Sequence, residues 1–396
     1  MRTWTNAKGE VAQWKNNGKI KLIIELGTRP EIIRLAAVIK KCRTYFDTLL
    51  VHTGQNYSVS LNDVFFSDLQ LDPPDITLNA VGEDLGETMG NIIAKSYQMF
   101  VDLAPDAVLV LGDTNSCLGA IGAKRLHIPI FHMEAGNRCM DQCLPEELNR
   151  KLIDITADVN LPYSEAARRW LIEMGFPKER IYVTGSPMAE VLTANLESIK
   201  SSDVHTRLGL EKGKYILLSA HREENIETDK NFESLFNAIN KMAAKYDMPI
   251  LYSCHPRSKK RLEATGFKLD ERVIAHEPLG FHDYNCLQYN AFCCVSDSGT
   301  LPEESSFFTS IGHPFPAVCI RTSTERPEAL DKGCFIISGI DELGLLQAVD
   351  TAVEMVRNGD NGIPVPDYTD LNVSNKVVKI IQSYVGIVNK MVWRKF

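Results

Sequence analysis

The stretch KIKLIIELGTRPEIIRLAAVIKKC, residues 19–42, sets the reading of the fold. KIKLIIELG has the length and apolar content of a buried strand, and PEIIRLAAVIKKC reads as the helix that follows a tight turn. The same alternation continues outward. TLLVHTG, DAVLVLGD and IPIFHMEAG read as strands, with GETMGNIIAKSYQMFVDL and TNSCLGAIGAKRL as helices among them. PEELNRKLIDITADV is predicted to be helical because Leu148, Leu152, Ile155 and Val159 step along one face. VNLPYS and RIYVTG continue the strand series. The pattern restarts with KYILLSAH, MPILYSCHP, RVIAHEP, FCCVSDSG and PAVCIR. Short apolar strands separated by helices imply parallel sheets covered on both faces.

The fold class is therefore α/β, with two doubly wound Rossmann-like domains. The polar, strand-free stretch around 190–214 is taken as the hinge. The expected division is 20–195 for the first domain and 196–372 for the second. Residues 373–396 form a C-terminal helix expected to return to the first domain, and residues 1–19 a polar extension expected to fray. No internal repeat is visible in the sequence.

Composition narrows the function. The 396 residues are 44% hydrophobic and 24% charged, and the net charge of −8 argues against a nucleic-acid or anionic-membrane partner. The basic run HPRSKKR at 255–261 lacks aromatic interleaving and reads as a solvated helix face. Ten scattered cysteines with no CxxC pair suit reduced, buried side chains. Cys139 and Cys143 lack the histidine pair that a zinc site would need. No apolar run reaches membrane-spanning length and no apolar signal core opens the chain, so a cytoplasmic location is expected.

Ligands of open α/β sheets bind beyond the carboxyl ends of the strands. Those ends here are GTRPE, HTGQN, GDTNS and HMEAGNR in the first half, and SAHREEN, CHPR and SDSGTLPEE in the second. Two such polar rims are expected to face each other across an interdomain cleft. Asp113, Glu134 and Glu146 are the candidate acid/base carboxylates, since clustered carboxylates push each other's proton affinities apart. Asp113 could instead cap the next helix, and Glu146 could simply pair with Arg150 at i, i+4. Glu134 closes an apolar strand, where an unpaired charge would be costly. Ser298, Gly299 and Thr300 form a strand-to-helix turn whose N–H groups suit phosphate, with Glu304 in reach of a ribose diol. The alternative is a serine N-cap followed by a solvated glutamate. Arg29 offers a guanidinium fork to a pyrophosphate, or caps nearby carbonyls. His221, at a strand end, is placed to neutralise a leaving group. Neither a P-loop nor a GxGxxG fingerprint occurs, and no metal-ligand spacing is present.

GTRPE, GDT, HMEAGNR, PEELNR, VTGSP, HREEN, DSGTLPEE and TSTERPEAL resemble, in order and spacing, motifs of the non-hydrolysing UDP-N-acetylglucosamine 2-epimerases, over roughly residues 20–380. The resemblance implies a GT-B-like fold, a UDP-N-acetyl (deoxy)hexosamine substrate, no cofactor and a homodimer. By motif position it implies Asp113, Glu134 and Glu146 as the acid/base set and His221 as a catalytic group on the phosphate side. It also implies substrate contacts from Arg29, Arg34, Gln55, Arg150, Ser298, Gly299, Glu304 and Arg326. Where the family carries lysine in its first helix this chain has Arg34, a poorer proton shuttle. HREEN likewise replaces a more basic stretch, which puts an effector site in doubt. HMEAGNRC, LPEELNR, NLPYSE and VTGSPM are similar to a subgroup that converts UDP-2-acetamido-2,6-dideoxy-L-talose to UDP-N-acetyl-L-fucosamine, for capsule or O-antigen. The alternatives are UDP-GlcNAc/UDP-ManNAc epimerisation and a GT-B glycosyltransferase; the carboxylates on the first rim count against the latter.

Overall fold

A computed structural model describes residues 2–54, 59–141, 144–226, 228–254 and 256–395. The chain divides into two compact units, Met1–Val191 with Asp370–Phe396, and Leu192–Thr369. In the first, β1 (Lys21–Leu26), β2 (Asp47–His52), β3 (Ile76–Thr77), β4 (Ala107–Leu111), β5 (Ile130–Met133) and β6 (Val159–Leu161) form one sheet. Its order is β3-β2-β1-β4-β5-β6, and every neighbouring pair is parallel. In the second, β7 (Ile216–Ser219), β8 (Ile250–Ser253), β9 (Val273–His276), β10 (Cys293–Ser296), β11 (Ala317–Cys319) and β12 (Ile336–Ile337) run β12-β11-β10-β7-β8-β9. These pairs are parallel too. Counted within its own unit, each sheet has the doubly wound order 3-2-1-4-5-6. The expected architecture is therefore present twice, although the sequence shows no repeat.

Burial explains the parallel sheets. Leu22, Ile23 and Ile24 of β1 and Val108, Leu109 and Val110 of β4 have no exposed surface, so helices cover both faces. Ile216, Leu218 and Val295 do the same in the second unit, packed with Phe232, Phe236 and Ile239. Each fully buried side chain of this kind contributes roughly 1.5–3 kcal/mol. Helix Arg29–Tyr45 starts sharply because Glu31 reaches back: its Oε2 accepts from the Gly27 N–H at 3.0 Å and from Thr28 Oγ1 at 2.8 Å.

Three expectations change. RIYVTG is not a strand, because Ile181 makes only an isolated bridge to Asn160. Helix Pro145–Thr156 ends before Val159, which opens β6 instead. Its apolar stripe faces outward, with Leu148 61%, Leu152 38% and Ile155 65% exposed, while Glu147, Asn149, Arg150 and Asp154 turn inward. The residues before β1 do not fray. Trp4 Nε1 donates to Asp102 at 3.1 Å, Trp14 Nε1 donates to the Leu103 carbonyl at 2.7 Å, and the Thr77 N–H donates to the Thr5 carbonyl at 3.0 Å. The two indoles supply an apolar anchor that a mostly polar composition concealed, and the segment covers the open edge at β3.

Helix Val373–Met391 belongs to the first unit and packs on helix Arg29–Tyr45. Among the described residues the cysteines are all free thiols, eight of the nine buried, and no helix is long and apolar enough to cross a membrane. Cys143 lies outside the described residues.

Candidate active site

In the first unit the strand order reverses between β1 and β4, so the loops leaving these strands open a crevice at the carboxyl edge. Asp113 lies in the second of these loops. Arg150, only 4% exposed, donates to Asp113 Oδ2 from Nη2 at 2.6 Å and from Nε at 3.1 Å. Its Nη1 donates to Glu147 Oε2 at 3.1 Å. The acidic partner of Arg150 on its own helix is therefore Glu147 rather than the expected Glu146, which is half-buried in the first helical turn. Nor does Asp113 cap the next element, since Thr114 precedes the 3-10 turn Asn115–Gly119.

Glu134 follows β5 directly, and its backbone is left-handed, with φ +65°. Its Oε2 accepts from Arg34 Nη1, and its Oε1 accepts from Asn137 Nδ2 at 3.2 Å. The carboxylate stays close to the Asp113 loop, because a Cβ on Gly112 would stand 3.4 Å from Glu134 Oε2. Arg34, Asp113, Glu134 and Arg150 thus gather at one switch point. Beneath them, Glu31 Oε1 accepts from Ser116 Oγ at 2.5 Å, and Ser116 is hydrogen-bonded to Thr114. Burial pushes the Glu31 carboxyl upward. Arg29 stands 5.9 Å from the centroid of the Phe65 ring, and burial lowers its proton affinity. Gln55 lies outside the described residues.

The second unit reverses its order between β7 and β10, and His221 and Ser298 leave these two strands. His221 is 42% exposed along its side chain, with Nδ1 at 3.0 Å from Oδ1 of the fully buried Asp297. Asp297 Oδ2 accepts from the His221 N–H at 2.9 Å, the Arg222 N–H at 2.8 Å and Asn225 Nδ2 at 3.1 Å. Burial alone would raise this carboxyl. The charge of His221 and the hydrogen bonds outweigh it and hold Asp297 down to about 2. Next to it, Ser298 Oγ lies 2.9 Å from Thr300 Oγ1, which donates to Glu304 Oε1 at 2.9 Å. Gln288 Nε2 donates to Glu304 Oε2 at 2.7 Å. Glu304 is only 4% exposed, so it is not the solvated first-turn glutamate that the simpler reading offered. Helix Leu301–Ser310 has no side-chain cap bond, so a serine N-cap does not form either.

A Cβ on Gly299 would fall 2.9 Å from Glu325 Oε1, so a side chain there would have to displace that carboxylate. Arg326, 1% exposed, supports this turn from inside by donating from Nε to the Gly299 carbonyl at 3.0 Å, with Nη2 at 3.2 Å from Glu303 Oε2. Asp297, Glu147 and Glu31 are the members that sequence reading passed over. Asp297 sits inside the quoted strand end SDSG, so its position next to a rim serine was the available signal. Among the described residues no group of three His, Cys, Asp or Glu side chains is arranged to hold a metal ion.

Two six-stranded Rossmann-like sheets, each with ionisable groups at its switch point, define a two-domain α/β enzyme of GT-B-like architecture. Residues 40–382 match the model of the UDP-N-acetylglucosamine 2-epimerase family, and the chain belongs to that family of isomerases. It is similar to the UDP-N-acetylglucosamine 2-epimerase structure from Rickettsia bellii, at 43% identity and TM-score 0.88, covering 95% of this chain and 100% of that one. It is also similar to the Methanocaldococcus jannaschii UDP-GlcNAc 2-epimerase in complex with UDP-GlcNAc and UDP, at 30% identity and TM-score 0.85, covering 92% and 100%. A third relative is the UDP-2,3-diacetamido-2,3-dideoxy-D-glucuronate 2-epimerase of Pseudomonas aeruginosa, 30% identical over 84% of this chain and 92% of that protein.

Proposed function

We propose that this chain inverts C2 of a UDP-2-acetamido sugar, without a cofactor, by eliminating and re-adding UDP. A carboxylate removes the C2 proton while the C1–O bond breaks. The C–H electron pair becomes the C1=C2 bond of a 2-acetamidoglycal, and the C1–O pair leaves with UDP. A proton then returns to C2 on the other face, and UDP attacks C1. The observation that carries this reading is the cluster of Asp113, Glu134 and their arginines at one switch point, set apart from the Asp297-backed His221 in the other unit. Asp113, Glu134 and Glu146 handle protons, with Arg34 and Arg150 holding the first two in place. His221, Arg29 and the Ser298–Gly299 turn take the pyrophosphate, Glu304 the ribose, and Gln55 completes the set. Arg326 contributes by bracing that turn.

For the sugar, the spelling of HMEAGNRC, LPEELNR, NLPYSE and VTGSPM supports UDP-2-acetamido-2,6-dideoxy-L-talose, converted to UDP-N-acetyl-L-fucosamine for capsule or O-antigen. The relative acting on a diacetamido glucuronate supports the view that the family accommodates altered hexoses. A second reading, UDP-GlcNAc/UDP-ManNAc, is favoured by the 43% identical structure of that name. We place the enzyme in the cytoplasm as a homodimer, and the outward stripe of Leu148, Leu152 and Ile155 supports a second copy as its cover. The test is NMR in D2O with the L-talo/L-fuco pair and with UDP-GlcNAc. Exchange at C2 of the L-sugars is expected, and exchange of the gluco sugar alone would move the substrate to the second reading. No exchange on any UDP-N-acetylhexosamine would remove the epimerase mechanism. Glu134→Gln should retain UDP binding and lose about 100-fold or more in turnover.

A further inference from the structure

His132, the third residue of β5, is wholly buried. Its Nε2 lies 2.9 Å from the carbonyl oxygen of Gly112, and its Nδ1 lies 3.0 Å from Asp154 Oδ1. A carbonyl oxygen can only accept, so Nε2 carries the proton in this bond. Asp154 is fixed from its other sides, by Arg138 Nη2 at 2.7 Å and by the Gly136 N–H at 3.2 and 3.3 Å. The Gly112 N–H donates to the Met133 carbonyl at 2.9 Å. Consecutive residues of β5 therefore hold both polar groups of Gly112, which itself has a left-handed φ of +73°. Asp113 comes immediately after Gly112, and Glu134 immediately after Met133. One buried imidazole thus ties together the strand ends that deliver the two carboxylates.

We propose that His132, backed by Asp154, is a positioning residue that sets the Gly112–Asp113 turn and hence the placement of Asp113 against Glu134. The inference rests on reading Asp113 and Glu134 as proton-handling groups. His132 touches neither carboxylate in its role; it acts through the Gly112 carbonyl. Arg138 and Asp154 act one step further back, by keeping the ring oriented.

Two variants separate this role from plain core packing. His132→Gln places an amide nitrogen where Nε2 stands and keeps the bond to Gly112. His132→Asn places its amide where Nδ1 stands and keeps only the Asp154 side. With C2 exchange in D2O as the assay, His132→Gln should stay within about tenfold of the wild-type kcat, while His132→Asn should lose about 100-fold. KM and UDP affinity should be unchanged in both. Equal losses, equal retention, a more active asparagine variant, or a parallel loss of UDP affinity would each overturn the proposal. A measurement on the wild-type protein covers the case of a variant that does not fold. NMR of 15N-histidine should show a proton on Nε2 of His132, and an unprotonated Nε2 overturns the proposal. Absence of C2 exchange in the wild type would fail the epimerase reading alone, since the NMR signature of the ring does not depend on it.

Discussion

Glu25 points from β1 into the space under Gly119, where a Cβ would stand 2.4 Å from its Oε1. Ser96 Oγ donates to that oxygen at 2.6 Å, and Oε2 has no hydrogen-bond partner among the described residues. Burial, only partly offset by the Ser96 bond, raises this carboxyl to about 8, and the nearby Glu31 adds to the rise. An unfolded glutamate ionises near pH 4.3, so from about pH 4.3 to about 8 the unfolded chain has released a proton that the folded chain keeps. Stability should therefore fall as pH rises through that window, by at most about 1.4 kcal/mol per pH unit. Glu25→Gln removes the titration, and its Tm relative to wild type should climb steadily between pH 5 and pH 8. A constant difference would mean that Glu25 titrates normally. Asp113, Glu134 and His221 were legible as rim residues because strand ends can be read locally. Asp154 and Asp297 were not, because their meaning comes from partners remote in sequence. Asp297, for example, binds backbone 75 and 76 residues away.

Long apolar runs announced most of the strands, whereas β3 and β12, two residues each, are too short to give a periodic signal. Helix Pro145–Thr156 shows the limit of periodicity: its apolar stripe was correctly spaced for a helix, but spacing cannot say which face meets the sheet. Here the inward face carries the Arg150 and Asp154 networks, so the stripe is left outside. The N-terminal segment shows the opposite error, since two half-buried indoles anchor a stretch that is otherwise polar. Trp14→Ala should cost about 2 kcal/mol through lost apolar burial and the lost bond to Leu103. The expected result is a lower urea midpoint with an unchanged slope. An unshifted midpoint would show that the segment adds nothing to the first unit.

At the scale of the whole molecule, Leu148, Leu152 and Ile155 are exposed, and the dimer proposed above would cover them. Ile155→Glu puts a charge on that stripe, and light scattering should then record a monomer mass in place of a dimer mass. A dimer that persists would move the interface elsewhere. The expectation of two doubly wound domains held because alternation of strand and helix is a property of the whole chain, insensitive to a misread segment such as RIYVTG. The first unit is also discontinuous: the chain leaves it at Val191 and re-enters at Asp370. Helix Val373–Met391 then buries Val377, Ile381, Val385 and Val388, packing on helix Arg29–Tyr45. Domains commonly fold in the order in which they are synthesised. Here the second unit, Leu192–Thr369, is uninterrupted and leaves the ribosome complete, while the first must wait for the segment from Asp370 onward. The half of the enzyme that is translated first is the half that is finished last, and β1 to β6 spend most of translation without their closing helix.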